Sequence, residues 1–312
     1  MFPVTIAFGA VPPAVSIVIP TRNRRRLLPA AIDSVLAQRD TTFEVIVVDD
    51  GSTDDTPVYL AAIAAPPIRT LRLEPAGGGS RARNVGLDDV RAPFVMFLDD
   101  DDILWPGALA TLSGALRAEP SAVAAVGARW DWFTEEQYER RDAHPRRART
   151  RVVFDELLFG WSAPSGQVLY RADIVRQVGG YRSDFTTCED RGLWLRIARH
   201  GPVVLRPEIV MTYRWHPGQT PRHDIRTVRE RVALRAIDEL PRRDHRRALA
   251  IRRSTHWFEA AQDAFSAGRY IYGATAAARA VAASPALFAS PLVWPLFTRR
   301  LAGRIWHRRR GR

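Results

Sequence analysis

The stretch Phe94-Val95-Met96-Phe97-Leu98-Asp99-Asp100-Asp101-Asp102 runs five apolar residues straight into four consecutive carboxylates. An uninterrupted apolar run of this kind suits a strand buried on both faces, as in a parallel sheet. Adjacent carboxylates repel one another, so the cluster is unfavourable unless a cation neutralises it. A hard divalent ion, held by one or two carboxylates and by the oxygens of a diphosphate, supplies that charge. Along an extended chain Asp99 and Asp101 point the same way. The plainer alternative is a solvated acidic turn capping a helix that begins near Pro106, a use that Asp102 alone would fit.

Toward the N-terminus, residues 15–20 form another apolar run, 43–48 a β-rich run, and residues 68–73 read as a third strand. Between and beyond them, residues 26–38 carry Leu27, Leu28, Ala31, Ile32, Val35 and Leu36 at helical spacing. Residues 54–64, 80–90 and 106–118 read as further helices. Strands separated by helices predict a mainly parallel, Rossmann-like α/β sheet flanked by helices. Ligands of such sheets bind beyond the carboxyl ends of the strands. Both acidic groups, Asp49-Asp50 and Asp99 to Asp102, fall at such ends.

Downstream, residues 123–132 predict a strand and the charged stretch 135–151 a loop or lid. Residues 171–178 and 191–199 predict helices, and 203–205 and 209–215 two short strands. Beyond residue 222 every pattern is helical, including a hairpin over 256–267 and 270–283. The expected division is an α/β unit over 1–221 and a basic, mainly helical C-terminal extension over 222–312.

Composition narrows the chemistry. All 46 basic residues are arginine, which excludes a lysine Schiff base or a P-loop lysine. Cys188 is the single cysteine, so neither an internal disulfide nor a cysteine zinc cluster can form. From Arg222 onward there are 20 arginines against 7 acidic residues, whereas residues 1–221 carry 26 against 27. The extension therefore holds the whole positive excess. Arg299, Arg300, Arg304 and Arg308 to Arg310 are interleaved with Trp294, Phe297, Ile305 and Trp306. This pattern predicts peripheral binding to an anionic membrane, with a solvated terminus as the alternative. No basic region precedes the apolar N-terminal start, and no apolar run reaches the ~18–20 residues that span a bilayer. The expected location is cytoplasmic, at the inner face of the plasma membrane if the tail binds there.

Five motifs carry a resemblance. Residues 15–21 (Val-Ser-Ile-Val-Ile-Pro-Thr), 49–54 (Asp-Asp-Gly-Ser-Thr-Asp), 82–87 (Ala-Arg-Asn-Val-Gly-Leu), 97–102 and 189–196 (Glu-Asp-Arg-Gly-Leu-Trp-Leu-Arg) occur in one order. That order resembles the inverting family-two glycosyltransferases of GT-A fold, and the likeness spans roughly residues 14–217. It implies a nucleotide-sugar donor, with a UDP-sugar favoured, and a Mn²⁺ or Mg²⁺ cofactor. Pro20, Thr21, Asp49, Asp50, Arg83 and Asp100 would then contact the nucleotide. Asp99 and Asp101 would hold the metal, joined by His216. Asp190 would be the general base, supported by Glu189. Trp161, Ser162, Ser165 and Trp194 are candidates for the acceptor wall. The acceptor implied is a saccharide or lipid-linked saccharide in cell-envelope or exopolysaccharide synthesis. Gly192 departs from the pattern, because many relatives carry another acid there.

Each residue also has a simpler use. Asp49-Asp50-Gly51 suits an ordinary turn, Gly77 to Gly79 a connection, and Glu189-Asp190 an acidic first helical turn. Tryptophans more often pack in cores than face sugars, and a late histidine such as His216 is more often packed or solvated. Two other functions stay compatible with the residues. One is metal-dependent nucleotidyl transfer, which would not need Glu189-Asp190. The other is an inactive protein of the same fold whose basic tail holds a membrane or nucleic acid. Nucleic acid is disfavoured, because no recognition motif accompanies the charge.

Overall fold

The computed structural model describes residues 11–133, 138–141, 149–185, 187–216, 225–290 and 292–293. Its first half is the alternation expected. Strands β1 (Val15–Thr21), β2 (Phe43–Asp49), β3 (Ile68–Arg72) and β4 (Phe94–Phe97) are parallel, in the spatial order β3-β2-β1-β4. Val15, Ile17, Val18, Ile19 and Val45 to Val48 are fully buried, as β-branched residues are when helices cover both faces of a sheet.

The covering helices are α1 (Leu28–Leu36), α2 (Thr56–Ile63), α3 (Gly79–Asp88) and α4 (Ala108–Ala118). Helix α1 buries Leu28, Ala31, Ile32 and Val35, a stripe at helical spacing. Helix α3 comes closer to the sheet than a side chain allows at Gly86, where a Cβ would run into Val18 and Val48. Arg83 lies one turn earlier on the same helix, so this close approach also fixes its depth.

The second half completes the sheet. It comprises β5 (Ile103–Leu104), β6 (Ala124–Phe133), β7 (Tyr138–Arg141), β8 (Arg149–Arg151), β9 (Val168–Arg171) and β10 (Val203–Trp215). The full order is β3-β2-β1-β4-β9-β6-β10-β5, with β7 beside β6 and β8 beside β10. Strand β9 is antiparallel to both neighbours, while β6 and β10 run parallel to each other. The sheet is thus mainly parallel with an antiparallel insertion, as the GT-A expectation requires.

Two expectations need correction. The charged stretch 135–151 contains β7 and β8, which pair at the margins of the sheet, where charged side chains are tolerated. The two short strands expected over 203–215 are one strand, β10. Its register slips between Leu205 and Ile209, around Pro207, whose ring nitrogen has no proton for the ladder.

The remaining helices are α5 (Phe154–Phe159), α6 (Ala172–Gln177), α7 (Glu189–Ile197), α8 (Ile225–Asp238), α9 (Arg242–Ser266), α10 (Tyr270–Ala283) and α11 (Pro285–Phe288). Helices α9 and α10 form the expected hairpin, turning at Gly268 with φ +76°. The C-terminal helices join the main core. Phe159 of α5 meets Phe258 of α9 and Phe288 of α11, with ring centroids 5.3 and 5.6 Å away. Gly192 of α7 faces α8, where an added Cβ would sit 3.8 Å from Val232.

Candidate active site

A cleft of about 790 Å³ opens beyond the carboxyl ends of β1, β2 and β4. Pro20 and Thr21 reach it from β1, Asp50 from the turn after β2, and Gly78, Gly79 and Arg83 from α3. Asp99, Asp100 and Asp101 follow β4 into it. Trp161, Ser162 and Ser165 come from the connection between α5 and β9, and Glu189 and Asp190 from the first turn of α7.

The acid cluster is held by hydrogen bonds rather than left in solvent. Thr21 Oγ1 donates to Asp100 at 2.7 Å. Burial pushes the Asp100 carboxyl up to about 7, opposed by the Thr21 hydrogen bond and reinforced by the Asp101 charge. His216 Nε2 lies 3.0 Å from Asp101 Oδ2. Arg214 of β10 donates its side chain to the Asp101 carbonyl and its backbone N–H to Asp102 at 3.2 Å. Burial also raises the Asp101 carboxyl, with Asp99 adding to it and His216 opposing.

Asp102 is not a helix cap. Helix α4 starts after Gly107 without any side-chain cap, and Asp102 is fully buried with one carboxyl oxygen unpartnered. Its carboxyl is driven well upward, by burial first and then by the Asp101 and Asp99 charges. One oxygen each from Asp99, Asp101 and Asp102 lie within 4.8 Å of one another, a spread that the shell of a single hard cation covers. Crowded carboxylates, two of them (Asp101 and Asp102) raised by burial, and an Asp102 oxygen without a partner among the described residues are what a divalent ion would relieve, so the residues fit one.

Arg83 joins the acids to α7. Its guanidinium contacts Asp99 Oδ1 at 2.6 Å and Glu189 Oε1 at 3.2 Å, above the Tyr181 ring at 5.1 Å. Next to it, the Asn84 amide exchanges two 2.7 Å hydrogen bonds with the backbone of Tyr181. Asp190 is half-buried, and its Oδ1 accepts the backbone N–H of Arg191 at 2.7 Å. Loss of hydration raises the Asp190 carboxyl, partly offset by that hydrogen bond and by Arg83.

The acids, the glycine loop and the Glu-Asp helix thus meet in one cleft, and the profile of Glycosyl transferase family 2 matches residues 16–179 of this chain. The chain belongs to glycosyl transferase family 2. An uncharacterized protein of Mycobacterium tuberculosis is 30% identical over 240 residues, which are 73% of this chain and 75% of that protein. A Campylobacter jejuni protein named GalNAc(5)-diNAcBac-PP-undecaprenol beta-1,3-glucosyltransferase is 41% identical over 103 residues, 32% of this chain and 33% of that protein. Among solved structures, S. aureus TarS 1-349 in complex with UDP-GlcNAc superposes with a TM-score of 0.65 at 18% identity, covering 93% of this chain and 88% of that one. The last likeness is one of fold.

Within this family 2 cleft, two expected residues take other places. Asp49 does not line it. Its carboxylate accepts the Ser52 N–H at 2.9 Å and pairs with Arg72, because neighbours on a strand point to opposite faces. Asp50 lines the cleft and accepts the N–H groups of Gly77 at 2.6 Å and Gly78 at 2.8 Å, so it also shapes the glycine loop. Trp194 does not form an acceptor wall. It is wholly buried, donates its indole N–H to the Ala163 carbonyl at 3.2 Å, and packs edge-on against Trp161 with centroids 6.0 Å apart. Trp161, which does line the cleft, rests on it.

Sequence reading missed Tyr181, Arg191 and Arg229 at this family 2 site. Tyr181 sits under Arg83 and shares a 3.1 Å hydroxyl contact with Ser165. Arg191 directly follows Asp190, which was signal enough. Arg229 lies on α8, beyond the span of the resemblance, and counted there only as part of a charge excess.

Proposed function

We propose that this family 2 protein is an inverting glycosyltransferase. It moves a sugar from a nucleoside-diphosphate donor, with a UDP-sugar favoured, to a hydroxyl of a saccharide or lipid-linked acceptor in cell-envelope or exopolysaccharide synthesis. The observation that carries this is the single cleft in which Asp190 faces the Asp99–Asp101 cluster, with Arg83 linking Asp99 to Glu189 beside it. The names of two relatives support the substrate classes: one refers to an undecaprenyl diphosphate saccharide, and one structure contains UDP-GlcNAc.

Asp190 accepts the proton of the acceptor hydroxyl as its oxygen attacks the anomeric carbon. The bond from that carbon to the diphosphate oxygen breaks, and the nucleoside diphosphate leaves with the electron pair. Attack opposite the leaving group inverts the anomeric centre. Burial raises the Asp190 carboxyl above the ordinary aspartate value, which makes its carboxylate a stronger base. Arg83 keeps Asp99 and Glu189 in position. Thr21, Asp50 and Asp100 hold the nucleotide, with Pro20 beside them. Asp99 and Asp101, with His216 and Asp102 adjoining, would hold Mn²⁺ or Mg²⁺, which supplies positive charge for the departing diphosphate.

Among the described residues no helix is long and apolar enough to cross a membrane. The basic, aromatic stretch 294–310 lies outside them. We place the protein at the cytoplasmic face of the plasma membrane, held there by this stretch, with 1–221 as the transferase unit and 222–312 as its extension. Calorimetric titration with UDP, GDP and dTDP, each with Mn²⁺ and with EDTA, tests the site. Metal-dependent binding of one nucleotide, lost in Asp99→Ala/Asp101→Ala, is the expected result. A folded protein that binds none of the three overturns the reading.

A further inference from the structure

Beside Asp190 the chain buries more positive charge than it neutralises. Arg191 is 3% exposed and donates to the Leu158 carbonyl at 3.1 Å. Arg252, 9% exposed, donates to the same carbonyl at 2.8 Å. Two guanidiniums thus converge on one uncharged oxygen. Arg252 has a counter-ion in Glu230. Among the described residues neither Arg191 nor the half-buried Arg229 forms an ion pair with a carboxylate. The Nε–H of Arg191 and that of Arg252 also lack acceptors. The Asp190 charge acts on Arg191 from the adjacent residue, but a buried guanidinium with an open donor and no carboxylate bonded to it still favours the arrival of an anion.

The strain shows in the titration of Arg191, pulled down to about 9 by burial and then by the Arg252 and Arg229 charges. Packing alone accounts for the bond to Leu158 but not for three cations drawn together. Arg191 and Arg229 line the main cleft with Thr187, Cys188 and Asp190. Both also line a small adjoining cavity of about 30 Å³. That cavity has room for about one water, so a larger anion sits on the cleft side. Arg226, on the wall of the small cavity, is already paired with Asp263 at 2.9 Å.

The position selects the ligand. Arg191 is the chain neighbour of Asp190, and the Arg229 side chain reaches Cys188, two residues before it. The donor diphosphate is assigned above to the Asp99–Asp101 cluster. We infer that Arg191 and Arg229 form a subsite for a phosphate group carried by the acceptor, next to the hydroxyl that Asp190 deprotonates. The inference rests on the transferase reading and adds its acceptor class, a phosphate-bearing glycan. Paired guanidiniums suit a phosphate, whose oxygens accept several N–H donors at once. Two carriers share that chemistry: an isoprenyl diphosphate and a phosphodiester-linked polymer.

The test is calorimetry on the full chain saturated with UDP and Mn²⁺, titrated with inorganic phosphate. Binding is expected, weakened at least tenfold in Arg229→Gln while UDP affinity is unchanged. The unchanged UDP affinity shows that the variant folds. Arg191→Lys, which keeps the charge but loses the fork, is expected to weaken phosphate binding less than Arg229→Gln does. Absence of phosphate binding, equal binding by Arg229→Gln, or binding of glucuronate in preference to phosphate overturns the inference. Failure of UDP itself to bind sinks the donor reading instead, and the free protein still reports on the arginines. Farnesyl diphosphate and a bis-glycerol phosphodiester then separate the carriers: the tighter ligand identifies the source, and weak binding of both counts against the subsite.

Discussion

The Arg83 guanidinium lies 2.6 Å from Asp99 and 3.2 Å from Glu189. One buried cation therefore ties the end of β4 to the first turn of α7, two elements about a hundred residues apart in the chain. Replacing it with alanine leaves two partly buried carboxylates facing each other without a counter-charge. The expected loss is roughly 2–3 kcal/mol, below the range for fully buried pairs because Asp99 is about one-third exposed. Arg83→Lys keeps the charge but cannot fork between two carboxylates, so it should recover part of that stability and less of the activity. Urea denaturation and sugar-transfer rates on both variants check this.

Asp190→Asn removes the proton acceptor and keeps the shape. Transfer should fall by about 10²–10⁴-fold, the usual contribution of a general base, with the KM for donor little changed. A variant that retains the parent rate would remove Asp190 from the mechanism.

The raised pKa of Asp190 gives a pH signature. The base works only when deprotonated, so activity is present above its pKa and lost as pH falls through it. Since burial lifts that pKa, the acid limb of kcat/KM should lie above the ordinary aspartate value of about 3.9. A limb at or below the ordinary value would contradict the environment described for this carboxylate.

Mn²⁺ should stabilise the folded protein. At a hundredfold excess over its Kd the shift is about 2.7 kcal/mol, read as a rise in Tm that EDTA reverses. Asp99→Ala/Asp101→Ala should show no such rise. His216→Ala, which removes the 3.0 Å neighbour of Asp101, should weaken the response without abolishing it.

Gly86→Ala tests how the helix places Arg83. The added methyl meets Val18 and Val48, both fully buried in the sheet. The expected destabilisation is about 1–3 kcal/mol, and displacement of α3 should weaken nucleotide binding as well. Denaturant midpoints and UDP titration would report the two effects separately.

The parallel half of the sheet was legible because β1, β2 and β4 are mostly apolar or β-branched, and β3 falls between β2 and β4 at regular βα spacing. Strands β7 and β8 were not, because Tyr138–Arg141 and Arg149–Arg151 carry no apolar run that would mark a strand. Pro207 disguised β10 as two strands by interrupting its ladder. The acids after β4 stand together in the sequence, but the cap weighed for Asp102 does not form, because that buried carboxyl meets the Arg214 N–H of β10, more than a hundred residues away. Trp161 and Trp194 have the same chemistry, and only packing separates the one that meets the cleft from the one beneath it. Arg229 was illegible for a different reason: nothing in an arginine-rich helix marks which cation is turned inward.

Helix α8 places Ile225 and Arg229 in the wall of a cleft whose other residues all lie at or before Trp215. On the proposed function, the chain would separate its two specificities along its length. In the proposed transferase the loops after β1, β2 and β4 would choose the nucleotide, while a helix appended after β10 would border the entry of the second substrate. Exchanging that appended helix between relatives would retune what is glycosylated and leave the choice of sugar nucleotide intact, a route by which one inherited scaffold diversifies into enzymes for many different glycans.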